Sequence, residues 1–363
     1  MDARPAPRCD PWAPEWPIES LDGLLLTYAP AARTPRPGQQ FLQNIEGHAR
    51  EDGRARVIEM RITVGEVRMY DCIIIGGGPA GLTAATYLGR FLRATLVIDA
   101  GAGRAASIPT THNLIGFPEG ISGEELLSRM RQHAVGYGAE LVSDVALGIM
   151  QSKTGFAVGM SSRTLEARTV LLAPGVANHR PNLAQAAHDR GVSRGLIRYC
   201  PICDAYEVRG KRVAVLGCSE HGAAEAIFVR RYSETVTLLT EESVQLSLAD
   251  QADLADGGIA VERAAIQTLS INDDDVLVRL SDGQSLSFDT LYVALGSSGR
   301  SELARVAGAS LSASGCIIVD DHQRTSISGL FAAGDVVEGL DQIAVAAGQA
   351  AKAATAIHNL LLE

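Results

Sequence analysis

The sequence predicts an α/β chain built on two parallel βαβ units, the second inserted into a domain that the first begins. Three observations predict it. Glycine is abundant, 37 of 363 residues against two Trp, as tight turns and close backbone approaches require. A β-branched run leads straight into a glycine-rich turn at 71–81, and the same order of apolar run, glycine turn and helix-compatible segment returns at 212–240.

In the first unit, Asp71-Cys72-Ile73-Ile74-Ile75 suits a parallel strand covered on both faces. Gly76-Gly77-Gly78-Pro79-Ala80-Gly81 follows, Leu82 to Phe91 suits a helix, and Ala94 to Asp99 is a second buried-strand run. In Gly76-x-Gly78-x-x-Gly81 the first glycine permits the tight turn, the second lets backbone approach a pyrophosphate, and the third lets helix and strand pack closely. The helix N-terminus then offers free N–H groups to phosphate. Asp99 lies 23 residues beyond Gly76, close to the ~20 expected for the acid that holds a ribose hydroxyl. Strand, turn, helix and acid together make a dinucleotide-binding fingerprint.

Beyond it, Gly123 to Tyr137 reads as a helix and Thr169 to Ala173 as a strand end. The second unit runs through Val213-Ala214-Val215-Leu216, a helix from Gly222 to Arg231, and a strand from Val236 to Leu239. Its turn, Gly217-Cys218-Ser219-Glu220-His221-Gly222, puts Ser219 where the second glycine belongs, and the added Cβ obstructs pyrophosphate. Glu241 and Glu242 stand at the matching strand end, where their charge repels a 2′-phosphate. NADPH is a poor electrostatic fit to Gly217, Ser219, Gly222 and Glu241, and a Rossmann-like unit that binds no nucleotide stays open. Thr290 to Leu295 and Gly329 to Ala333 each read as a strand entering a glycine turn, and Ile343 to Leu361 as an Ala-rich helix. The expected organisation is an extension over 1–68, a discontinuous domain from 69–180 and 296–363, and an insert over 181–295.

Lys+Arg 32 against Asp+Glu 42 gives a net charge of -10, which repels a phosphate backbone, so no nucleic-acid partner is expected. No apolar run approaches the ~20 residues of a membrane span, and no targeting pattern opens the chain. The expectation is a cytoplasmic protein without membrane association. Residues 1–68 hold eight of the 14 Pro and both Trp, without sustained periodicity. They read as a poorly ordered or separately packed arm, docked through Trp12, Trp16 and Leu24 to Leu26, or as the product of a start codon set too far upstream.

Six Cys stand at 9, 72, 200, 203, 218 and 316, and only Cys200 and Cys203 form a close pair. A C-x-x-C serves as a redox disulfide, as half a zinc site or as two inert thiols. Zinc needs about four ligands, and no second close pair exists. Two-residue spacing allows reversible ring closure, and the adjacent Asp204 is placed to shuttle a proton to and from a departing thiolate. Redox chemistry is the favoured reading. Asp335, ending a buried run in Gly334-Asp335, and Asn113 in His112-Asn113-Leu114 gain functional weight only from family context.

Tyr70 to Phe91, Asn113 to Ala139, Cys200 to Leu239 and Gly329 to Leu361 together resemble the bacterial low-molecular-weight thioredoxin reductases. The resemblance implies two Rossmann-like three-layer β/β/α domains. The discontinuous one would bind FAD; the inserted NAD(P)H-type one would carry the redox disulfide; and the homodimer's domains would rotate against each other. It implies that Gly76, Gly78, Pro79, Ala80 and Asp99 hold the ADP half of FAD, with Asn113 nearby, and that Asp335, Gln342 and Ile343 contact the ribityl chain and isoalloxazine. Cys203 becomes the flavin-proximal thiol, Cys200 the one that attacks the partner, and Asp204 the acid. The implied substrate is thioredoxin, a similar protein or a small disulfide.

Departures fall on the electron-supply side: Ser219 for a glycine, Thr240-Glu241-Glu242 for a basic stretch, and Pro174 for a Thr. They leave the donor open between NADPH, NADH and reduced ferredoxin. A dithiol oxidase that passes electrons to oxygen is the alternative enzyme, and a flavin-bound sensor protein the non-enzymatic one.

Overall fold

Successive side chains of a strand point to opposite faces, and the strand Met69–Ile75 uses both. Cys72 and Ile74 pack with Ala84 and Leu88 of the helix Pro79–Arg90 and with Ala350 and Ala353 of the helix Ile343–Leu360. Ile73 and Ile75 pack on the other face with Ile149, Phe156 and Val158, from the antiparallel strands Ala146–Ser152 and Gly155–Met160. Helices, parallel sheet and antiparallel meander make three layers. The computed structural model from which this is read describes residues 44–49 and 58–63 as backbone, and 69–363 apart from 102, 218–219 and 241–245.

The first sheet runs in the order Glu140–Ser143, Thr95–Asp99, Met69–Ile75, Thr164–Leu172, Gly155–Met160, Ala146–Ser152. Thr164–Leu172 serves two layers. Its beginning pairs antiparallel with Gly155–Met160, while Val170, Leu171 and Leu172 pair in parallel with Leu330–Ala332. A strand from far along the chain therefore completes the sheet that the glycine turn opens. The Ala-rich helix follows it, and its small side chains let it lie close against Pro79–Arg90.

A second sheet repeats the plan. Its five strands are all parallel, in the order Ile197–Arg198, Thr290–Ala294, Arg212–Gly217, Thr235–Leu239, Ala260–Glu262. Val213, Val215, Val236 and Leu238 face the helices Glu220–Val229 and Leu248–Asp256. Ala214, Leu216 and Leu239 face the antiparallel strands Ile266–Ile271, Val276–Leu280 and Ser285–Phe288. The chain crosses between the sheets twice, through Val176–Asn178 and Ser297–Gly299, and these crossings pair antiparallel with each other.

The helices and parallel strands expected from the sequence match to within a few residues, whereas the helices Gln185–Ser193, Leu248–Asp256 and Glu302–Val306 and the parallel strands Glu140–Ser143, Ile197–Arg198 and Ala260–Glu262 carry no signal that sequence reading caught. Periodicity did not predict the five meander strands. Gly148 and Gly159 interrupt the first of these meanders, and Leu147 and Met150 are exposed at 65% and 69%, so its apolar alternation is weak. Pro14–Met69 forms a unit of its own, in which Asn44–Ala49 and Ile58–Thr63 pair antiparallel. Trp12, Trp16 and Leu24 to Leu26 lie outside the described residues.

The glycine turn is fixed sterically. Gly76 has φ of +111° and a Cβ there would strike the Ala173 carbonyl; a Cβ on Gly81 would strike the carbonyl of Gly76. Replacing Gly81 by Ala therefore forces strand and helix apart. Overpacking of this kind costs about 1–3 kcal/mol, and urea unfolding of Gly81→Ala is expected to show a loss in that range.

Candidate active site

A cavity of about 740 Å³ opens beyond the C-terminal ends of the first sheet's parallel strands, where open α/β sheets take their ligands. Gly76, Gly78, Pro79, Ala80, Asp99, Asn113, Asp335, Gln342 and Ile343 all line it, and so do Cys200, Cys203 and Asp204. The nucleotide fingerprint and the cysteine pair, 119 residues apart from Gly81 to Cys200, thus share one space. Gly217 and Gly222 do not line this cavity. Ser219 and Glu241 lie outside the described residues.

At the turn, Gly78 caps the helix Pro79–Arg90 in an extended conformation, with Pro79 in the first turn where a missing N–H costs nothing. A Cβ on Gly78 would meet nothing within 4 Å, so that face is open to the cavity. Asp99 ends its strand with Oδ1 accepting from the Gly101 N–H at 3.1 Å and Oδ2 from Arg131 Nη2 at 3.3 Å. Asp335 sits where Arg104 bridges two carboxylates, 3.4 Å from Asp335 and 2.8 Å from Asp341. Burial pushes the Asp335 carboxyl above its ordinary range, the Asp341 charge adds to this, and Arg104 opposes it. Neither Arg104 nor Arg131 is marked by any motif; each pairs with its carboxylate only through the fold.

Cys200 and Cys203 are joined in a disulfide, with Cα atoms 5.3 Å apart. Cys200 caps the one-turn helix Pro201–Asp204, and the Cys203 N–H donates to the Cys200 carbonyl at 2.9 Å. Gln342, expected beside a flavin, directs Nε2 at both sulfurs, 3.3 Å from Cys203 Sγ and 3.6 Å from Cys200 Sγ. Its Oε1 accepts from Asn113 Nδ2 at 2.9 Å, and Asn113 Oδ1 accepts from Thr111 at 2.8 Å. A hydrogen-bonded row therefore runs from the 111–113 loop to the disulfide.

Asp204 has both oxygens engaged. Arg198 Nη1 donates to one at 2.6 Å and the hydroxyl of the fully buried Tyr292 donates to the other at 2.7 Å. Burial pushes the Asp204 carboxyl upward, and the charge of Arg198 and the Tyr292 hydrogen bond pull it back. Away from this site, Cys72 is fully buried and its thiol is pushed up to about 12 by desolvation. Among the described residues, no group of His, Cys, Asp and Glu is arranged to hold a metal, and no helix is long and apolar enough to cross a membrane.

The family model described as pyridine nucleotide-disulphide oxidoreductase matches residues 70–350. The thioredoxin reductase of Treponema pallidum is 31% identical over 310 residues, covering 80% of this chain and 97% of that one. That of Bacillus subtilis is 29% identical over 315 residues, covering 82% and 96%. The solved thioredoxin reductase of Streptococcus pyogenes superposes with a TM-score of 0.76 at 28% identity, covering 82% of this chain and 99% of its own. Matched over most of its length in sequence and in both sheets, and carrying a disulfide in the shared cavity, the chain belongs to the pyridine nucleotide-disulphide oxidoreductase family and is thioredoxin reductase-like within it.

Proposed function

We propose that this chain is a FAD-dependent disulfide oxidoreductase of thioredoxin reductase type, moving an electron pair between a flavin and the disulfide of thioredoxin or a similar protein through Cys200 and Cys203. The observation that carries this reading is the single cavity lined by both the Gly76–Gly81 turn and the two cysteines. The residues present fit FAD. The open face of Gly78 and the free N–H groups of the helix behind it suit a pyrophosphate. Asp99 suits a ribose diol, and Asp335 with Gln342 and Ile343 suits the ribityl and ring portion. In this reading residues 69–180 and 296–363 form the FAD domain and 181–295 the inserted one, and the active protein is a cytoplasmic homodimer.

A bound flavin supplies or accepts the electron pair; the chain's own groups handle sulfur and protons. In the reducing direction the Cys200 thiol attacks a partner sulfur, forming a mixed disulfide as the partner's S–S bond breaks. Cys203 then attacks Cys200 Sγ, closing the 200–203 disulfide and releasing the partner's second thiolate. The Asp204 carboxylate takes the proton from the attacking thiol and returns it to the leaving thiolate. Gln342 Nε2, already directed at both sulfurs, steadies whichever of them carries charge.

A second reading concerns the electron source. Ser219 and the Glu241-Glu242 pair are unsuited to NADPH. Gly217 and Gly222 stand so close that a Cβ on either would strike the other's Cα, so strand–helix packing already accounts for both. This favours a donor other than NADPH, either NADH or reduced ferredoxin, or net oxidation of dithiols with oxygen as acceptor.

Purified protein is expected to be yellow, and Cys200→Ser and Cys203→Ser to lose disulfide turnover while keeping the colour; a colourless preparation that no flavin reconstitutes sinks the proposal. Anaerobic titration is expected to show weak or absent bleaching by NADPH. Stoichiometric bleaching at micromolar NADPH contradicts the second reading, and peroxide release on adding dithiols without nicotinamide supports its oxidase form. Alkylation at pH 8 with peptide mapping is expected to add Cys200 and Cys203 after reduction, with Cys72 unlabelled throughout because its thiol titrates at about 12.

A further inference from the structure

The strand Ile197–Arg198 has two residues and lies at the edge of the second sheet, yet it determines how the site's carboxylate is held. It pairs in parallel with Thr290–Ala294, in a register that sets Arg198 beside Tyr292. Neighbouring positions on adjacent strands project their side chains to the same face. Both side chains therefore reach Asp204, one to each oxygen. The guanidinium is anchored a second time, through Nε to the Gly195 carbonyl at 3.1 Å. Side-chain exposure is 14% for Arg198 and 27% for Asp204, well removed from the solvated surface where such pairs count for little.

We propose that Arg198 is a positioning residue for thiol–disulfide exchange: with Tyr292 it fixes Asp204 as an oriented carboxylate in the cavity that holds Cys200 and Cys203. The assignment deepens the function proposed above, because it gives Asp204 the proton-transfer role that reading assigns it. The groups that bear on the Asp204 charge are Arg198 from the edge strand, Tyr292 from its neighbour and Glu207 from the turn that follows. Arg198 is the cation among them. Without it, burial and the Glu207 charge act against ionisation with only the Tyr292 hydroxyl opposing. The ionised form then appears at higher pH. Because the carboxylate is the proton acceptor, the acid limb of exchange moves in the same direction.

The test follows exchange of the pre-reduced protein with 2-hydroxyethyl disulfide, a neutral probe whose approach does not depend on the Arg198 charge. The protein dithiol and one probe disulfide become the 200–203 disulfide and two molecules of 2-mercaptoethanol. The exchange step itself needs neither flavin nor nicotinamide and is read in its first, single-turnover phase, so a failed flavin assignment and a failed role for Arg198 give different results. Rates are measured from pH 4.5 to 9 for the unaltered protein, Arg198→Gln, Arg198→Lys, Asp204→Asn and the Arg198→Gln/Asp204→Asn pair.

Arg198→Gln is expected to move the acid limb upward by about one pH unit, an approximately tenfold loss of rate on the acid side that recovers at alkaline pH. Arg198→Lys, which keeps the charge but not the planar fork, is expected to fall between. Asp204→Asn is expected to leave only the limb set by ionisation of the attacking thiol, and adding Arg198→Gln to it to change nothing more. An acid limb unmoved in both Arg198 variants overturns the proposal, as does an equal shift in the Asp204→Asn background. If Arg198→Gln loses its fold by circular dichroism, the position of the Arg198→Lys limb decides alone.

Discussion

The hydrogen bonds from Gln342 to the two sulfurs join the halves of this site. Gln342 stands at the start of the long C-terminal helix, packed in the first three-layer body, while Cys200 and Cys203 belong to the edge of the second. Sulfur is a weak acceptor, so this contact aligns the disulfide without locking it. The crossing strands Val176–Asn178 and Ser297–Gly299, only three residues each, are the covalent path between the bodies.

Electrostatics follow a consistent pattern around the cavity. Asp99, Asp335 and Asp204 are each half-buried, and each faces a guanidinium: Arg131, Arg104, which Asp335 shares with Asp341, and Arg198. Leaving any of these carboxylates desolvated and unpaired is the costly outcome. The pairings differ in kind. Arg131 stands 3.3 Å from Asp99 and Arg104 3.4 Å from Asp335, with Arg104 held more closely by Asp341 at 2.8 Å, whereas Arg198 holds Asp204 at 2.6 Å. The two loose pairs lie where a cofactor is proposed and the tight one where proton transfer is.

Much of this was legible in the sequence because it rests on local chemistry. The glycine turn, its strand, its helix and Asp99 fall within 30 residues, and the cysteine pair within four. Arg198 and Tyr292 were illegible for the opposite reason: they are 94 positions apart, and only a strand register brings them to one carboxylate. Family resemblance drew Gln342 out as a flavin contact, but its contact with sulfur was not foreseen, since it depends on how the two bodies meet. The meander strands escaped because half-exposed antiparallel strands interrupted by glycine lack a clean alternation.

The two glycine turns also separate what the fold needs from what a ligand needs. In the first, Gly76 and Gly81 are required by backbone contact, whereas a Cβ on Gly78 would meet nothing. The chain's own packing gives no reason for glycine at 78; an approaching pyrophosphate does. In the second turn, Gly217 and Gly222 are again held by mutual contact, and the position matching Gly78 is Ser219. The steric glycines are thus present in both turns, and the one that only a ligand would demand is present in the first alone. Counting glycines in such a motif therefore overstates the evidence for a nucleotide. The informative position is the one whose absent side chain leaves open space.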